Sequence, residues 1–533
     1  MSASFGFPFI RHERGVRVSV GLYLGWVLIL MLIGIAIWIR ALLPMNTDTS
    51  WLISASEMLL DGKKLYVDIG ETNPPASVWL YAPLVMLARF LHVRPEPVVI
   101  SYLFGLLAIS FVLSGLILSR AGWLSRYNGF LLAAVFIALF AVLPGDTFSE
   151  REHIAAMLCL PFLAATLARA EGKALSWSLL IAAGFCGGLV VIIKPHFLLA
   201  LELPVLLALC FQRRLRTLFS PENLIAGFLC LAYIVGTFVL YREFWTIAMP
   251  VNAIVYLPNA DRLQALSSIA TPILFALCLT SWLFCGRSFL RHPAAMVLAT
   301  SVGFYVAFVI QGKLWPYHVY PVVALGVLGG ALAAFDRSLR ETDGRQAEVS
   351  PLLARMSLLC RVINPGIIGV GALISFSPLL FIHPHHQALA DAITRLHPNP
   401  VIASLSGDIA VGHPVTRMVN GRWGATQPAL WVMTNGIRLQ RSRPDLSPSS
   451  LSAIEDAMNA DLAVFLADLR RNRPDILLSL SKETPLHDRL RVFPGMKKEL
   501  DHYELAERIE TRGTGYTVDI LRRRPDLRSS IIP

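Results

Sequence analysis

The stretch VSVGLYLGWVLILMLIGIAIWIRALL, residues 18–43, carries a single charged side chain, Arg40, close to its end. As a helix rising about 1.5 Å per residue it exceeds the roughly 30 Å hydrocarbon core of a bilayer. It follows three arginines, Arg11, Arg14 and Arg17. It is too long for a cleaved signal peptide and has no small-residue cleavage site, so it reads as an uncleaved first span. Comparable apolar runs recur at about 98–119, 128–143, 153–170, 176–193, 196–211, 222–241, 270–285, 294–311, 317–335 and 362–382. The pattern predicts a mainly α, polytopic helical membrane protein of about eleven spans.

Composition agrees with that reading. The 533 residues are 55% hydrophobic and 16% charged, with a mean hydropathy of +0.58, which excludes a single water-soluble domain. The 36 Gly and 33 Pro show no period, and the apolar content is too high for a collagen, a coiled coil or a disordered tail. All seven cysteines, Cys159 to Cys360, lie in or beside apolar runs, so no disulfide framework or Cys-type metal site is legible.

Charge divides the chain in two. Residues 383–533 carry 20 Lys+Arg and 17 Asp+Glu, a density typical of globular domains, whereas residues 1–382 carry only 27 and 19. We therefore expect a transmembrane module over 1–382 and an extramembrane α/β domain over 383–533. In that domain, 401–405, 476–480 and 516–521 read as strands, and 452–471 and 503–510 as helices. The basic residues sit in short loops, not along one face, which argues against a nucleic-acid partner.

The loop charges orient the chain. With a cytoplasmic N-terminus, the inner loops hold Arg120/Arg126, Arg169/Lys173, Arg213/Arg214/Arg216, Arg287/Arg291 and the basic stretch 337–361, about 17 Lys+Arg with the N-terminal three. The short outer loops hold about 5, the asymmetry of the positive-inside rule. An odd span count then places the C-terminal domain in the periplasm of a bacterial inner membrane. This requires 76–91 to lie in the outer interface as a helix, where Trp79 and Tyr81 are well accommodated, instead of crossing.

Four polar stretches fall on the outer side, all at span ends. They are the loop 44–97, the acidic segment from Pro144 to His153, Lys194-Pro-His196, and the segment from Gly312 to His318. Ionisable groups near membrane depth are costly and mark candidate sites. Asp48 opens a short helix ending at Asp61-Gly62. It is either that helix's N-cap or a general base facing a cleft. Asp146, Glu150, Arg151, Glu152 and His153 crowd one loop. They can pair with one another and cap the next span, take part in chemistry, or hold a divalent metal, although their spacing matches no closed metal motif. Glu150 and His153 would share a helix face.

Lys194 with His196 and Lys313 with His318 lie on the side poorer in positive charge. Such lysines can simply snorkel, or they can bind a membrane-embedded phosphate. His383-Pro-His385-His386 reads as a linker. Gly184, Gly187 and Gly188, and Gly366, Gly369 and Gly371, read as close helix packing.

A first span, an outer loop opening with Asp48, a helix ending in Leu-Asp-Gly-Lys-Lys-Leu-Tyr66, then Asn73-Pro-Pro75 and an interfacial helix resemble the GT-C superfamily of polytopic glycosyltransferases. The nearest branch in layout uses lipid-linked sugars, as do the protein mannosyltransferases and the lipid A aminoarabinose transferase. Asp146 and Glu150, and Lys313 with Tyr317 and Pro321, are similar to features of that branch. The likeness covers about residues 18–335. It implies a GT-C-like catalytic module using a polyprenyl-phosphate sugar donor and a periplasmic glycan, lipid or protein acceptor.

On that resemblance Asp48 is the catalytic base, with Asp146 or Glu150 a second acid near the acceptor or a metal. Lys313 contacts the donor phosphate; on the reading of the residues themselves, Lys194, His196, Arg151, Tyr317 and His318 are further phosphate-binding candidates. Asn73, Glu152 and His153 are the substrate-contacting candidates. The competing class is a membrane transporter or lipid flippase, which needs ionisable or helix-breaking residues near mid-bilayer, often in repeated halves. Here the charges gather at one face and no internal repeat is visible.

Overall fold

The computed structural model describes residues 9–123, 129–213, 215–342, 384–511 and 516–525. The expected span 362–382 with its three glycines, Arg126, Arg214, Cys360, His383 and the basic residues of 343–361 lie outside the described residues, as do the side chains of Arg11, Arg14 and Arg17.

The membrane module runs α1 (Phe9–Leu42), α2 (Thr47–Leu60), α3 (Ala76–Trp79), α4 (Ala82–Phe90), α5 (Pro95–Arg120), α6 (Gly129–Ile137), α7 (Arg151–Ala170), α8 (Trp177–Ile193), α9 (Leu198–Gln212) and α10 (Pro221–Leu240), then helices Ala270–Cys285, Pro293–Gln311 and Pro316–Thr342. Among the described residues, seven helices are long and apolar enough to cross a membrane, which is the signature of a multi-pass membrane protein. The three other expected spans within the described residues coincide with the shorter apolar helices Leu132–Val142, Trp177–Ile193 and Pro195–Phe211.

The run 76–91 is split. α3 has 4 residues and α4 has 9, and at about 1.5 Å per residue neither reaches across a bilayer. Pro83, at the start of α4, cannot continue the preceding helix because it lacks an N–H and clashes with the turn behind it. Two of its aromatics bond to other segments: Tyr81 Oη donates to Ser149 O at 2.8 Å and Trp79 Nε1 to Tyr241 Oη at 2.8 Å.

α7 is the axis of the module. It is buried from Arg151 to Ala168 and packs on α5, α8, α9 and the helix Pro316–Thr342, so whatever its first turn carries sits centrally at that end of the bundle. Close approach is made by small residues: a Cβ at Gly184 would lie 2.7 Å from Glu222 O on α10, and one at Gly187 would meet the Phe162 ring of α7. At the opposite end of α7 Arg169 grips buried Glu222 in a fork, at 2.5 and 2.7 Å.

The C-terminal domain holds a five-stranded mixed sheet in the order β2-β1-β3-β5-β4. Its strands are β1 (Val401–Ser404), β2 (Arg422–Trp423), β3 (Ile476–Leu480), β4 (Tyr503–Thr511) and β5 (Tyr516–Arg523). The helix expected over 503–510 is instead β4, paired antiparallel with β5. Its Leu, Ala, Glu and Arg residues favour helix locally, but cross-strand pairs override them, with Arg508 to Asp519 at 2.5 Å and Arg522 to Glu504 at 2.9 Å. The expected linker at 383–386 is also corrected: Pro384 begins the helix Pro384–Leu396, a position where its missing N–H costs nothing.

The domain seats on the segment 44–97. Gly70 N donates to Thr426 O at 2.8 Å, the Trp51 and His413 rings meet at 5.7 Å, and Arg417 reaches Glu57 and Glu96. It therefore lies on the face that carries Asp48.

Candidate active site

α2 starts with a cap that is not Asp48. Asn46 is the N-cap, and its side chain accepts from Asp48 N at 2.8 Å. Asp48 occupies the second helical position, so its carboxylate is free to point across the outer face. There Tyr317 Oη donates to Asp48 Oδ2 at 3.1 Å and Arg151 Nη2 stands 3.5 Å from the same oxygen. Burial raises the Asp48 carboxyl above its usual range, opposed by Arg151, the Tyr317 hydrogen bond and Lys194. Its side chain is still 23% exposed, enough for a small polar group to reach it.

Beside this pair lies a second cluster. Lys194 Nζ contacts Glu152 Oε1 at 2.5 Å, and His318 Nε2 stands 3.3 Å from the same oxygen and 3.5 Å from Lys194 Nζ. Lys194 is there because Pro195 ends α8: the lysine backbone is extended, at φ −149° and ψ 118°, before the short turn Pro195–Phe197 begins. Glu150 is the N-cap of α7 but makes no side-chain capping bond. Its carboxyl is held well above the usual range by burial, then by the charges of Asp48 and Glu152, and its Oε1 has no hydrogen-bond partner among the described residues. Arg151 Nε and Nη1 and His318 Nδ1 are likewise buried without partners there. The centre thus keeps donor capacity in reserve for an anionic or polar ligand.

The remaining candidates sort by contact. His196 stacks edge-on against Phe197 with ring centroids 5.0 Å apart, and its Nε2 is unpartnered among the described residues. The His153 ring nitrogens meet the carbonyls of Phe140, at 2.8 Å, and Phe148, which ties the turn Ala138–Val142 after α6 to the 144–150 loop. Asp146 lies in the field of Arg40, whose guanidinium also donates to Gly145 O and covers the Phe148 ring at 4.7 Å. Asn73 Nδ2 donates to Glu71 Oε1 at 2.6 Å. Lys313 stands at the rim: its ammonium donates to Tyr256 O and sits 3.9 Å from that ring's centroid. Among the described residues no group of three or more His, Cys, Asp or Glu is arranged to hold a metal ion.

Two participants were not legible from residue type. Glu71 is buried, accepts from Trp51 Nε1 at 2.7 Å, and acts electrostatically on Asp48. Tyr256 comes from 241–269, a stretch without a charge cluster; its hydroxyl, pushed up to about 12 by burial first, feels Asp48 next. Tyr256 lies in a short helical turn, Asn252–Tyr256, between two long apolar helices, and no local sequence feature marks it.

No family model matches the chain, and no curated protein matches it.

Proposed function

We propose that the protein is a GT-C-like glycosyltransferase that moves a sugar from a polyprenyl-phosphate donor to a hydroxyl of a periplasmic glycan, lipid or protein acceptor, with inversion. The observation that carries this reading is the meeting, on one outer face, of Asp48 from the first loop, Arg151 and Glu152 from α7, Lys194 from the end of α8, and Tyr317 and His318 from the helix Pro316–Thr342.

The chemistry follows from those groups. Asp48, held by Tyr317 and Arg151, takes the acceptor hydroxyl proton as the oxygen attacks the anomeric carbon. The bond from that carbon to the phosphate oxygen breaks, and the phosphate leaves with the electron pair. A phosphate leaving group needs cations to receive charge, not an acid to protonate it. Arg151, Lys194 and Lys313 are the cations at hand. In this reading the site opens to the periplasm of a bacterial inner membrane, with the N-terminus cytoplasmic.

The test is Asp48→Asn in membranes supplied with labelled lipid-linked sugar. Transfer should fall by about two to four orders of magnitude, the usual contribution of a positioned base. Unchanged transfer at normal expression removes the assignment, and solute uptake by wild-type vesicles would favour a transporter.

A further inference from the structure

The strand order of the C-terminal sheet creates a crevice. β1 and β3 are parallel neighbours, yet their onward chains part. β1 leads through the short helices Ile409–Gly412 and Val415–Met418 to β2 on one side, and β3 leads to β4 and β5 on the other. Where adjacent parallel strands diverge in this way their carboxyl ends stay uncovered, and ligands of open α/β sheets bind there.

Two turns follow those ends, 406–408 after β1 and 481–483 after β3, and they are stitched together: Gly407 N donates to both Glu483 oxygens at 3.2 Å. A Cβ at Gly407 would meet the Thr434 side chain, so glycine lets the helix Trp431–Ser442 come close. Beyond the stitch, between that helix and the helix Thr484–Val492, lies a hollow of about 440 Å³ that Thr434, Arg438, Arg441, Lys482 and Glu483 help to line. A second hollow of about 310 Å³ adjoins it and shares Ile437, Arg441 and Pro485, which together is room for a small molecule. The charges there are unbalanced. Arg438 and Arg441 stand three residues apart on one helix face, and neither forms an ion pair among the described residues. Nearby Arg443 is paired with Asp445, and Arg489 with Glu455. Of the two carboxylates in the hollows, Glu483 is held by Gly407 N, and Asp488 lies 4.0 Å from Arg491. Ile437, Pro485 and Leu486 add an apolar wall. Two unpaired guanidinium forks beside such a wall suit an oxyanion carried on a carbon skeleton.

We propose that the C-terminal domain has a binding site of its own, at the diverging ends of β1 and β3, for a small soluble organic anion. Its oxyanion, a carboxylate or a phosphate ester, meets Arg438 and Arg441 while its body lies on Ile437 and Pro485. No residue of the Asp48 cluster lines the two hollows, so the site is separate from that cluster and independent of the transferase reading.

The test titrates the full chain in detergent with phenyl phosphate and with phenylacetate, two oxyanions on the same ring, and reads binding by ligand-observed NMR. Arg438→Gln and Arg441→Gln should each weaken the bound probe about tenfold or more, the scale of one charge-assisted hydrogen bond, and Arg441→Lys should recover part of it. Both arginines are exposed, so these variants should keep the parent's thermal midpoint. Arg443→Gln, at an arginine outside the hollows, should bind as the parent does, and so should Asp48→Asn.

Tighter binding of phenyl phosphate assigns the site to phosphate esters, and tighter binding of phenylacetate assigns it to carboxylates. Failure of wild type to bind either probe at millimolar concentration overturns the proposal. So does unchanged affinity in both Arg438→Gln and Arg441→Gln, or an equal loss in Arg443→Gln. A loss in Asp48→Asn matching that in Arg441→Gln would move the probe to the Asp48 cluster and overturn it too. Should wild type bind a probe through Arg441 yet transfer no sugar, the transferase reading fails and this site stands.

Discussion

Arg417 of the C-terminal domain forks onto Glu57 of α2, at 2.7 and 3.1 Å, while its Nε reaches Glu96 at the start of α5 at 2.7 Å. The arginine side chain is only 9% exposed. One cation thus ties the domain to two elements of the membrane module, and one of them, α2, carries Asp48 in its first turn.

Arg417→Met should therefore loosen the domain. Glu57 loses its partner while Glu96 keeps Arg94 at 3.2 Å; Glu57 is one-third exposed, 33%, so part of the cost is relieved by water. We expect a loss of about 1–3 kcal/mol, read as a lower thermal midpoint and faster proteolytic release of the domain. A midpoint and cleavage rate equal to wild type would show that the clamp contributes nothing to docking.

Tyr317→Phe removes the hydrogen bond that stabilises the Asp48 carboxylate. That bond lowers the Asp48 pKa, so its loss moves the acid limb of the transfer rate toward higher pH and slows transfer about tenfold at neutral pH. An unchanged pH profile would separate Tyr317 from Asp48.

His413 gives the docked face an acid limit. Its ring is buried against Trp423, 4.5 Å away, and Trp51, and burial lowers its pKa to about 3. The native protein holds it neutral, while the unfolded chain takes up a proton near pH 6.5. Stability from this group is full above that value and is lost as pH falls from about 6.5 toward 3. Thermal midpoints between pH 7.5 and 4.5 should fall less steeply in His413→Phe than in wild type.

Asp461 has the opposite sign. It is buried with neither carboxyl oxygen partnered among the described residues, and burial, then Asp468, raises its pKa to about 8. The native state keeps the proton that the unfolded chain releases near pH 4, so this group's penalty grows as pH rises from about 4 to 8. Asp461→Asn should stabilise the protein by about 1–3 kcal/mol at pH 8 and by little at pH 4. Equal midpoints at pH 8 would place a counter-charge beside Asp461.

Local signals carried far along the membrane module. Ten of the eleven expected apolar runs coincide with helices, because apolar length is a property of each segment alone. Proline and glycine marked real boundaries, as at Pro195 after α8 and at Gly62, φ +87°, after α2. The reading failed where partners outweigh local preference. At 503–510 helix-favouring residues became β4 because β5 offers a hydrogen-bonding edge and two ion pairs.

The candidate site divides in the same way. Asp48, Glu150, Lys194 and Lys313 were visible as costly charges at the ends of apolar runs, since a bilayer makes such residues conspicuous wherever they occur. The contacts of Arg151 with Asp48, across 103 positions, and of Tyr317 with Asp48, across 269, follow from α7 at the centre of the bundle. Glu71, Tyr256 and Arg417 carry no local mark of their contacts. Composition and hydropathy settle the kind of protein, because they report each residue's own cost of leaving water. Which side chains share one cleft depends on helix packing and domain docking, and those arise from contacts between segments hundreds of residues apart.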